Sequence, residues 1–311
     1  MNIGRLGGAL ALTLVALPLT AWAGPWTKEL GQHYAKLGGD LYYTTDYFDS
    51  RLQGSDGETG IQRFVGTNLT LYGEVGVFPL WPIQVTASLP LTVGVSTFKD
   101  PALIGTSEPG TATGVRLGDL RVALQTSILR KGFQLAPSVE VKIPMYANDV
   151  VGKGLGPYRQ WVPIPGDGQI DITPMMLMGG SIPTKVPMWV EGGIGYRFRT
   201  EAFVRWNTNL EFVDGIPFYA AWGLAPGRSW VVLRVDGYKN VRDDDVSREA
   251  VTIGPSVGVT VWKGLAIEAR LAGDVVANNA PRGIAAGLGV SWRYPFPAAS
   301  DASSSDGATT E

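Results

Sequence analysis

The sequence predicts an all-β chain closed into a transmembrane, antiparallel, up-and-down β-barrel of about twelve strands. Three observations carry that expectation. Apolar and polar residues alternate with period two from residue 35 onward, as in strands whose two faces meet different surroundings. Charge is confined to one of those faces. The connections alternate between short and long, as in barrels with tight turns on one side of a membrane and loops on the other.

Composition agrees. Charged residues make up 17% and apolar residues 45% of the chain, against about 25% charge in an average soluble domain, so the surface is short of charge. No apolar run beyond residue 23 approaches the roughly 18 residues of a membrane helix, and any spanning falls to strands. Residues 1–23 read as a cleaved signal peptide: Arg5, an apolar stretch from Leu6 to Leu19, and Ala21-Trp22-Ala23 as a small-x-small cleavage site. Its removal takes away Arg5 alone and leaves a weakly acidic chain, which argues against nucleic-acid or polybasic lipid partners. The absence of cysteine excludes disulfides, a lipidated cysteine and thiolate metal sites. The expected organisation is a periplasmic N-terminal segment at 24–34, the barrel at 35–296 and a polar tail at 297–311, disordered by composition.

The expected strands are 35–47, 61–77, 83–96, 118–129, 133–145, 170–181, 188–200, 215–224, 230–239, 250–261, 265–275 and 284–296. The third is the clearest: Ile83, Val85, Ala87, Leu89, Leu91, Val93 and Val95 alternate with Gln84, Thr86, Ser88, Pro90, Thr92, Gly94 and Ser96. The fourth and fifth split the same way, with Leu120, Val122 and Leu124, then Val139, Val141 and Ile143, on the apolar face. The polar face collects Lys36, Asp40, Asp46, Glu74, Asp119, Arg121, Glu140, Lys142, Asp171, Glu191, Arg197, Arg199, Arg234, Asp236, Glu268, Arg270, Asp274 and Arg293. Within these segments Arg63 and Lys239 fall on the other face, both near strand ends. A charge facing lipid at mid-depth costs about 2–4 kcal/mol, and one facing a wet lumen costs little, so the charged face is the lumen. Phe64, Met175, Leu177 and Trp189 share that face and make it partly greasy.

The connections run loop 48–60, turn 78–82, loop 97–117, turn 130–132, loop 146–169, turn 182–187, loop 201–214, turn 225–229, loop 240–249, turn 262–264 and loop 276–283. An even strand count places both termini on the turn side, the periplasm. In the last strand Leu288, Val290, Trp292, Tyr294 and Phe296 alternate with Gly287, Gly289, Ser291, Arg293 and Pro295. Trp292, Tyr294 and Phe296 resemble the closing signal read by the barrel-assembly machinery, although a tail follows Phe296. Phe78, Trp81, Trp230, Trp262, Tyr294 and Phe296 on the turn side, and Tyr43, Tyr47, Phe98 and Phe198 on the loop side, are placed to form aromatic girdles at the lipid boundaries. Pro90, Pro137, Pro174, Pro217 and Pro255 lie inside expected strands, where each removes a ladder hydrogen bond, so bulges or breaks are expected beside them.

Gly118-Asp119 opening a strand, Val141-Lys142-Ile143-Pro144 closing the next, Gly166-Asp167-Gly168-Gln169-Ile170-Asp171 and Gly195-Tyr196-Arg197-Phe198-Arg199 resemble the outer-membrane family of the MetA pathway of phenol degradation, distantly related to long-chain fatty-acid transporters. Met145-Tyr146 stands where that family carries a glycine soon after the Lys-x-Pro step. The resemblance implies passage of small apolar molecules across the outer membrane of a Gram-negative bacterium. Read without it, Asp119, Arg121, Glu140, Lys142 and Asp171 share the lumen face of three consecutive strands. They either form an internal salt-bridge network or border a solute path.

No enzyme is expected. The single histidine, His33, stands before the first strand with no serine pattern around it, and activating a serine or water normally needs a positioned base. No cofactor or metal is expected either. Asp243-Asp244-Asp245 with Glu249 lacks the alternation of a calcium loop, and Gly152-Lys153-Gly154-Leu155-Gly156 opens no helix that would hold phosphate. The expected partners are outer-membrane lipid, the assembly machinery and an unidentified small solute. The alternative function is a closed structural or adhesive surface barrel acting through its loops. The loop 146–169, with Tyr158, Trp161 and Val162 at an apolar tip, is the expected constriction, folding inward so that Asp149, Lys153 and Asp167 meet Lys142, Asp171 and Arg197.

Overall fold

The computed structural model describes residues 24–46, 60–99, 110–146, 166–203, 212–243, 247–278, 280 and 282–295. Within them fourteen strands form twelve staves of one sheet. In chain order these are β1 (His33–Asp46), β2 (Gly60–Gly76), β3 (Ile83–Lys99), β4 (Gly110–Leu117), β5 (Asp119–Thr126), β6 (Phe133–Pro144), β7 (Gln169–Ile182) and β8 (Met188–Gly195). They continue as β9 (Phe198–Phe203), β10 (Gly215–Leu224), β11 (Ser229–Asn240), β12 (Glu249–Trp262), β13 (Leu265–Asn278) and β14 (Arg282–Tyr294). Each stave pairs antiparallel with its neighbours in sequence, and β1 pairs both β2 and β14, so the sheet closes. The chain is the all-β, up-and-down, twelve-stave barrel that its alternation predicts.

Two staves are interrupted. Strand β4 precedes β5 along the same neighbour, with Leu91 opposite Leu117 and Ser88 opposite Arg121. One extra residue is therefore accommodated around Gly118, whose amide donates to the Pro90 carbonyl at 2.7 Å. This corrects the expectation of a loop over 97–117: β3 runs to Lys99 and β4 occupies Gly110–Leu117. The bulge swaps the faces, so Thr113, Val115 and Leu117 point out below it in sequence and Leu120, Val122 and Leu124 above it. Strands β8 and β9 meet β7 in the same register on either side of Pro174, with Met175 opposite Gly195 and Ile172 opposite Phe198, and the register shifts farther along, between Asp171 and Gln169. Opposite Pro174 the Tyr196 amide still donates to the proline carbonyl at 3.0 Å.

The other in-strand prolines follow the same logic. Pro137 stands where the β5–β6 ladder gives way to the single bridge Leu129–Leu135. Pro217 lies between the Arg197–Gly215 bridge and the first β8–β10 pair, Phe218 with Ile194. Pro255 lies in the gap between Ile253–Gly273 and Ser256–Arg270. Each proline keeps its ladder on one side and faces a break on the other, where its missing N–H leaves nothing unpaired.

The outer surface is an apolar belt. Leu71 is 60% and Leu288 71% exposed, and they belong to a long series of outward Leu, Val and Ile side chains. The turn-side rim carries Phe78, Trp81, Trp262, Trp292 and Tyr294, all exposed, with the His33 ring stacked on Tyr294 at 5.0 Å and tilted against Trp292 at 4.8 Å. Two expected girdle residues belong elsewhere. Phe98 is fully buried inside the barrel, and Trp230 faces the lumen over Gly258. Both alternate in step with inward neighbours, Ser96 and Arg234, and face decides their environment more than distance along the strand does. The hairpin between β12 and β13 turns on Lys263 and Gly264, with φ of 28° and 80°, the double positive φ that a two-residue turn favours.

Candidate functional site: the barrel interior

The interior has two unlike walls. On the β2–β9 side it is solid. Phe64, Gln84, Ser96, Phe98, Ala136 and Leu177 are almost completely buried, and Ala136, Met175, Leu177 and Tyr219 pack as a small core. Above that core, toward the loops, the inward charges neutralise one another. Arg121 binds Glu140 across β5 and β6 at 2.8 Å. Lys142, directly opposite Asp171 in the β6–β7 register, binds it at 2.7 Å and Asp167 at 2.7 Å. Arg199 closes the quartet on Asp167 and, at 3.2 Å, on Asp171. Tyr146 donates to Asp119 at 3.0 Å and accepts from the Gly168 amide at 3.1 Å.

This is the cross-strand network read from the sequence for Asp119, Arg121, Glu140, Lys142 and Asp171, with members it did not include. Asp167, Arg199, Tyr146 and Gln169 complete it, and Gln169 accepts from Arg199 Nε at 2.9 Å. Burial by itself would raise the Asp167 carboxyl, but Arg199 and Lys142 outweigh it and hold the group well below the usual carboxylate range. Burial pushes the Tyr146 hydroxyl up, and Asp119 and Asp167 push it further. The available signal was the Gly166-Asp167-Gly168 turn, where flanking glycines let an acidic side chain fold back beneath the loop. Of the contacts expected for the loop 146–169, Asp167 meets Lys142 and Arg199 and not Arg197. Asp149, Lys153, Tyr158, Trp161 and Val162 lie outside the described residues, as do Tyr47, Asp244, Asp245 and Phe296.

The opposite wall, β10–β14 with β1, borders a cavity of about 1230 Å³, lined also by Tyr72 and Glu74 of β2 and Glu191 of β8, that runs from the turn end, at Pro183, Arg228 and Pro295, up to Thr252 and Ala272. Its charges are paired but wetter. Lys36 binds Glu268, and Arg270 binds Asp40. Arg234 takes both oxygens of Asp236 at 2.8 and 3.0 Å, stacks on the Tyr219 ring at 4.3 Å and reaches Glu191 at 3.8 Å. Trp189, Trp230 and Arg293 also line this space. Above it, Asp274 accepts from Tyr42 at 2.8 Å and Thr252 at 2.6 Å. The Tyr42 and Phe64 rings lie 6.2 Å apart, and Arg197 sits over the Tyr238 ring at 4.5 Å. Every charge expected to face inward whose side chain is described lies on the inner face. The Asp46 side chain is outside the described residues.

The segment expected before the first strand does not stand free of the barrel. Gly24–Gln32 enters the lumen from the turn end as a strap. The Gly24 carbonyl accepts from Gln125 at 2.8 Å, the Pro25 carbonyl from Ser127 at 3.3 Å, and the Lys28 amide donates to Gln84 at 2.7 Å. The Lys28 ammonium binds Glu74 at 2.9 Å. A β-carbon at Gly76 would lie 1.9 Å from the Glu29 carbonyl oxygen, so only glycine lets the strap pass there.

No family model matches this sequence, and no curated protein matches it. Solved structures do. An outer membrane channel from Pseudomonas putida F1 superposes with a TM-score of 0.60 at 9% identity, covering 88% of this chain and 99% of the other. The transport unit of the autotransporter AIDA-I from Escherichia coli gives 0.47 at 8% identity over 91% and 94% of the two chains. The NanC porin gives 0.46 at 7% identity over 83% and 98%. The first of these likenesses supports the barrel fold.

Proposed function

We propose that the protein is an outer-membrane channel that admits small solutes along the open wall of its lumen, after export by a leader at residues 1–23. The observation that carries this is the asymmetric interior: a cavity of about 1230 Å³ inside a closed barrel, beside a wall packed as tightly as a protein core. The apolar belt and its aromatic rim suit a bilayer, where a closed barrel is the one strand arrangement that leaves no edge unsatisfied. His33 stacks on the rim, away from the lumen carboxylates, which supports a conduit over an enzyme.

The cargo class rests on two supports. The strand motifs resemble the phenol-degradation family, which implies apolar molecules. Trp26, Trp189 and Trp230 line the cavity among paired charges, so a flat apolar solute finds ring surface while the ion pairs remain matched to each other. The purified protein in a planar bilayer should show discrete conductance steps, and Ser256→Trp, which adds bulk at the cavity wall, should lower them with the heat-modifiable band retained. Electrical silence from a fully heat-modifiable barrel would overturn the channel and leave a closed surface barrel, whose lumen the strap and the Tyr42–Phe64 layer fill.

A further inference from the structure

Beside the strap, the ion pairs among the described residues leave one inward carboxylate without a close partner. Lys28 is bound to Glu74, and Arg234 is bound to Asp236. Among the described residues Glu191 has only the far edge of Arg234, at 3.8 Å, although its side chain is 13% exposed and Glu74 and Asp236 both act on it electrostatically. Three carboxylates therefore share two cations. The adjoining pairs, Lys36 with Glu268 and Arg270 with Asp40, are closed on themselves, and Arg293 acts on Tyr34 near the mouth. A carboxylate drawn out of water without a charge-assisted hydrogen bond is costly. Its Oε2 would lie 2.7 Å from a β-carbon built on Gly24. The backbone of residue 24 is thus its immediate neighbour.

We propose that cleavage between Ala23 and Gly24 supplies the missing cation, and that the new α-ammonium of Gly24 pairs with Glu191 and pins the strap in the lumen. In the leader-peptidase reaction water adds across the Ala23–Gly24 peptide bond. It leaves a carboxylate on Ala23 and an ammonium on Gly24. An uncharged amide becomes a cation beside Glu191, and three carboxylates then face three cations. Docking of the strap is in this way tied to processing, because the uncleaved chain offers Glu191 no charge. A β-carbon at this position would also meet the Trp26 ring at 2.9 Å, so any larger residue would have to displace side chains of the site. The inference rests on reading residues 1–23 as a leader.

The first test is the N-terminus of protein extracted from outer membranes. It should begin at Gly24, and any other start overturns the pairing. The second is labelling of the folded protein in detergent with a pyridinecarboxaldehyde selective for α-amines. A buried, paired ammonium should react at least about tenfold more slowly than in the heat-unfolded chain, since labelling must await local opening. Glu191→Gln should lose that protection while remaining heat-modifiable. A chain that retains Ala23, with Glu191 intact, should lose it as well, which covers the case in which the substituted barrel fails to fold. Wild-type labelling as fast as in the unfolded chain, or full protection in both altered proteins, would sink the proposal. A silent bilayer trace bears on the channel alone and leaves these labelling rates untouched.

Discussion

The two walls of the lumen carry similar residues and treat them differently. Lys142 and Asp171 face each other at 2.7 Å with side chains 5% and 0% exposed, whereas the Arg234 side chain, bound to Asp236 at 2.8 Å, is 23% exposed. The chemistry of the pairs is alike, but the surroundings are not. On the packed wall Phe64, Phe98, Met175 and Leu177 fill the space between strands, so charges there are dry and must neutralise one another completely. On the open wall Thr252, Ser256 and Thr260 line the cavity, and the ion pairs beside it keep more of their side-chain surface exposed. A barrel that packs one side of its interior strengthens that wall without closing the other.

The sharpest way to break this comparison is to remove one partner from the dry quartet. Lys142→Met leaves Asp171 and Asp167 with Arg199 alone and should cost about 3–5 kcal/mol, seen as a much lower temperature for loss of the heat-modifiable band. Adding Asp171→Leu should recover much of that loss, because Arg199 and Asp167 then remain as a balanced pair. A double substitution less stable than the single one would show that the quartet is not the source of the effect. Arg270→Gln on the open wall, where the arginine keeps 23% of its side chain exposed, should cost less than Lys142→Met and register mainly in ion selectivity.

Bulk separates the walls next. Ala136→Phe overfills the core that Ala136 forms with Met175, Leu177 and Tyr219 and should destabilise by about 1–3 kcal/mol without altering conductance in the barrels that fold. Ser256→Phe should do the reverse, lowering conductance with little change in melting. Equal melting losses at both sites would mean that the open wall is as tightly packed as the other.

The smallest effect concerns acid. The Asp167 carboxyl is held below its ordinary range by Arg199 and Lys142. Its contribution to stability is therefore complete above the unfolded-state value of about 3.9 and lost as pH falls toward the lower folded-state value. Thermal melts of wild type should be level from neutral pH down to about pH 5 and decline below it, and Asp167→Asn should show a shallower acid decline from a lower starting point. Parallel curves for the two proteins would remove Asp167 from the linkage.

Much of this was legible beforehand because a strand that separates lipid from a wet lumen must alternate. The parity of β3, β5 and β6 placed Val122, Leu124 and Val141 outside and Arg121, Glu140 and Lys142 inside without any knowledge of neighbours. Strand β4 escaped the same reasoning. Its Thr111-Ala112-Thr113-Gly114-Val115-Arg116 run has little apolar contrast, and the bulge at Gly118 reverses parity, so the pattern of β5 cannot be extended back through it. Phe98 and Trp230 lie near strand ends, where aromatic residues favour the lipid boundary, but both stand on the inward face, and face rather than depth sets their surroundings.

By itself the sequence determined the barrel, its twelve staves and the inner and outer face of most residues, since these follow from local alternation and the length needed to cross a bilayer. Which inward charges touch, which wall is packed and where the N-terminal strap lies were decided only in three dimensions. Asp167 and Arg199 are thirty-two residues apart, and Gly24 and Gln125 are separated by 101. Such contacts depend on closure of the sheet, on the stagger between strands and on the size of side chains across the lumen, none of which has a period along the chain. Alternation assigns a residue to the inside, and the shape of the closed barrel assigns it a partner.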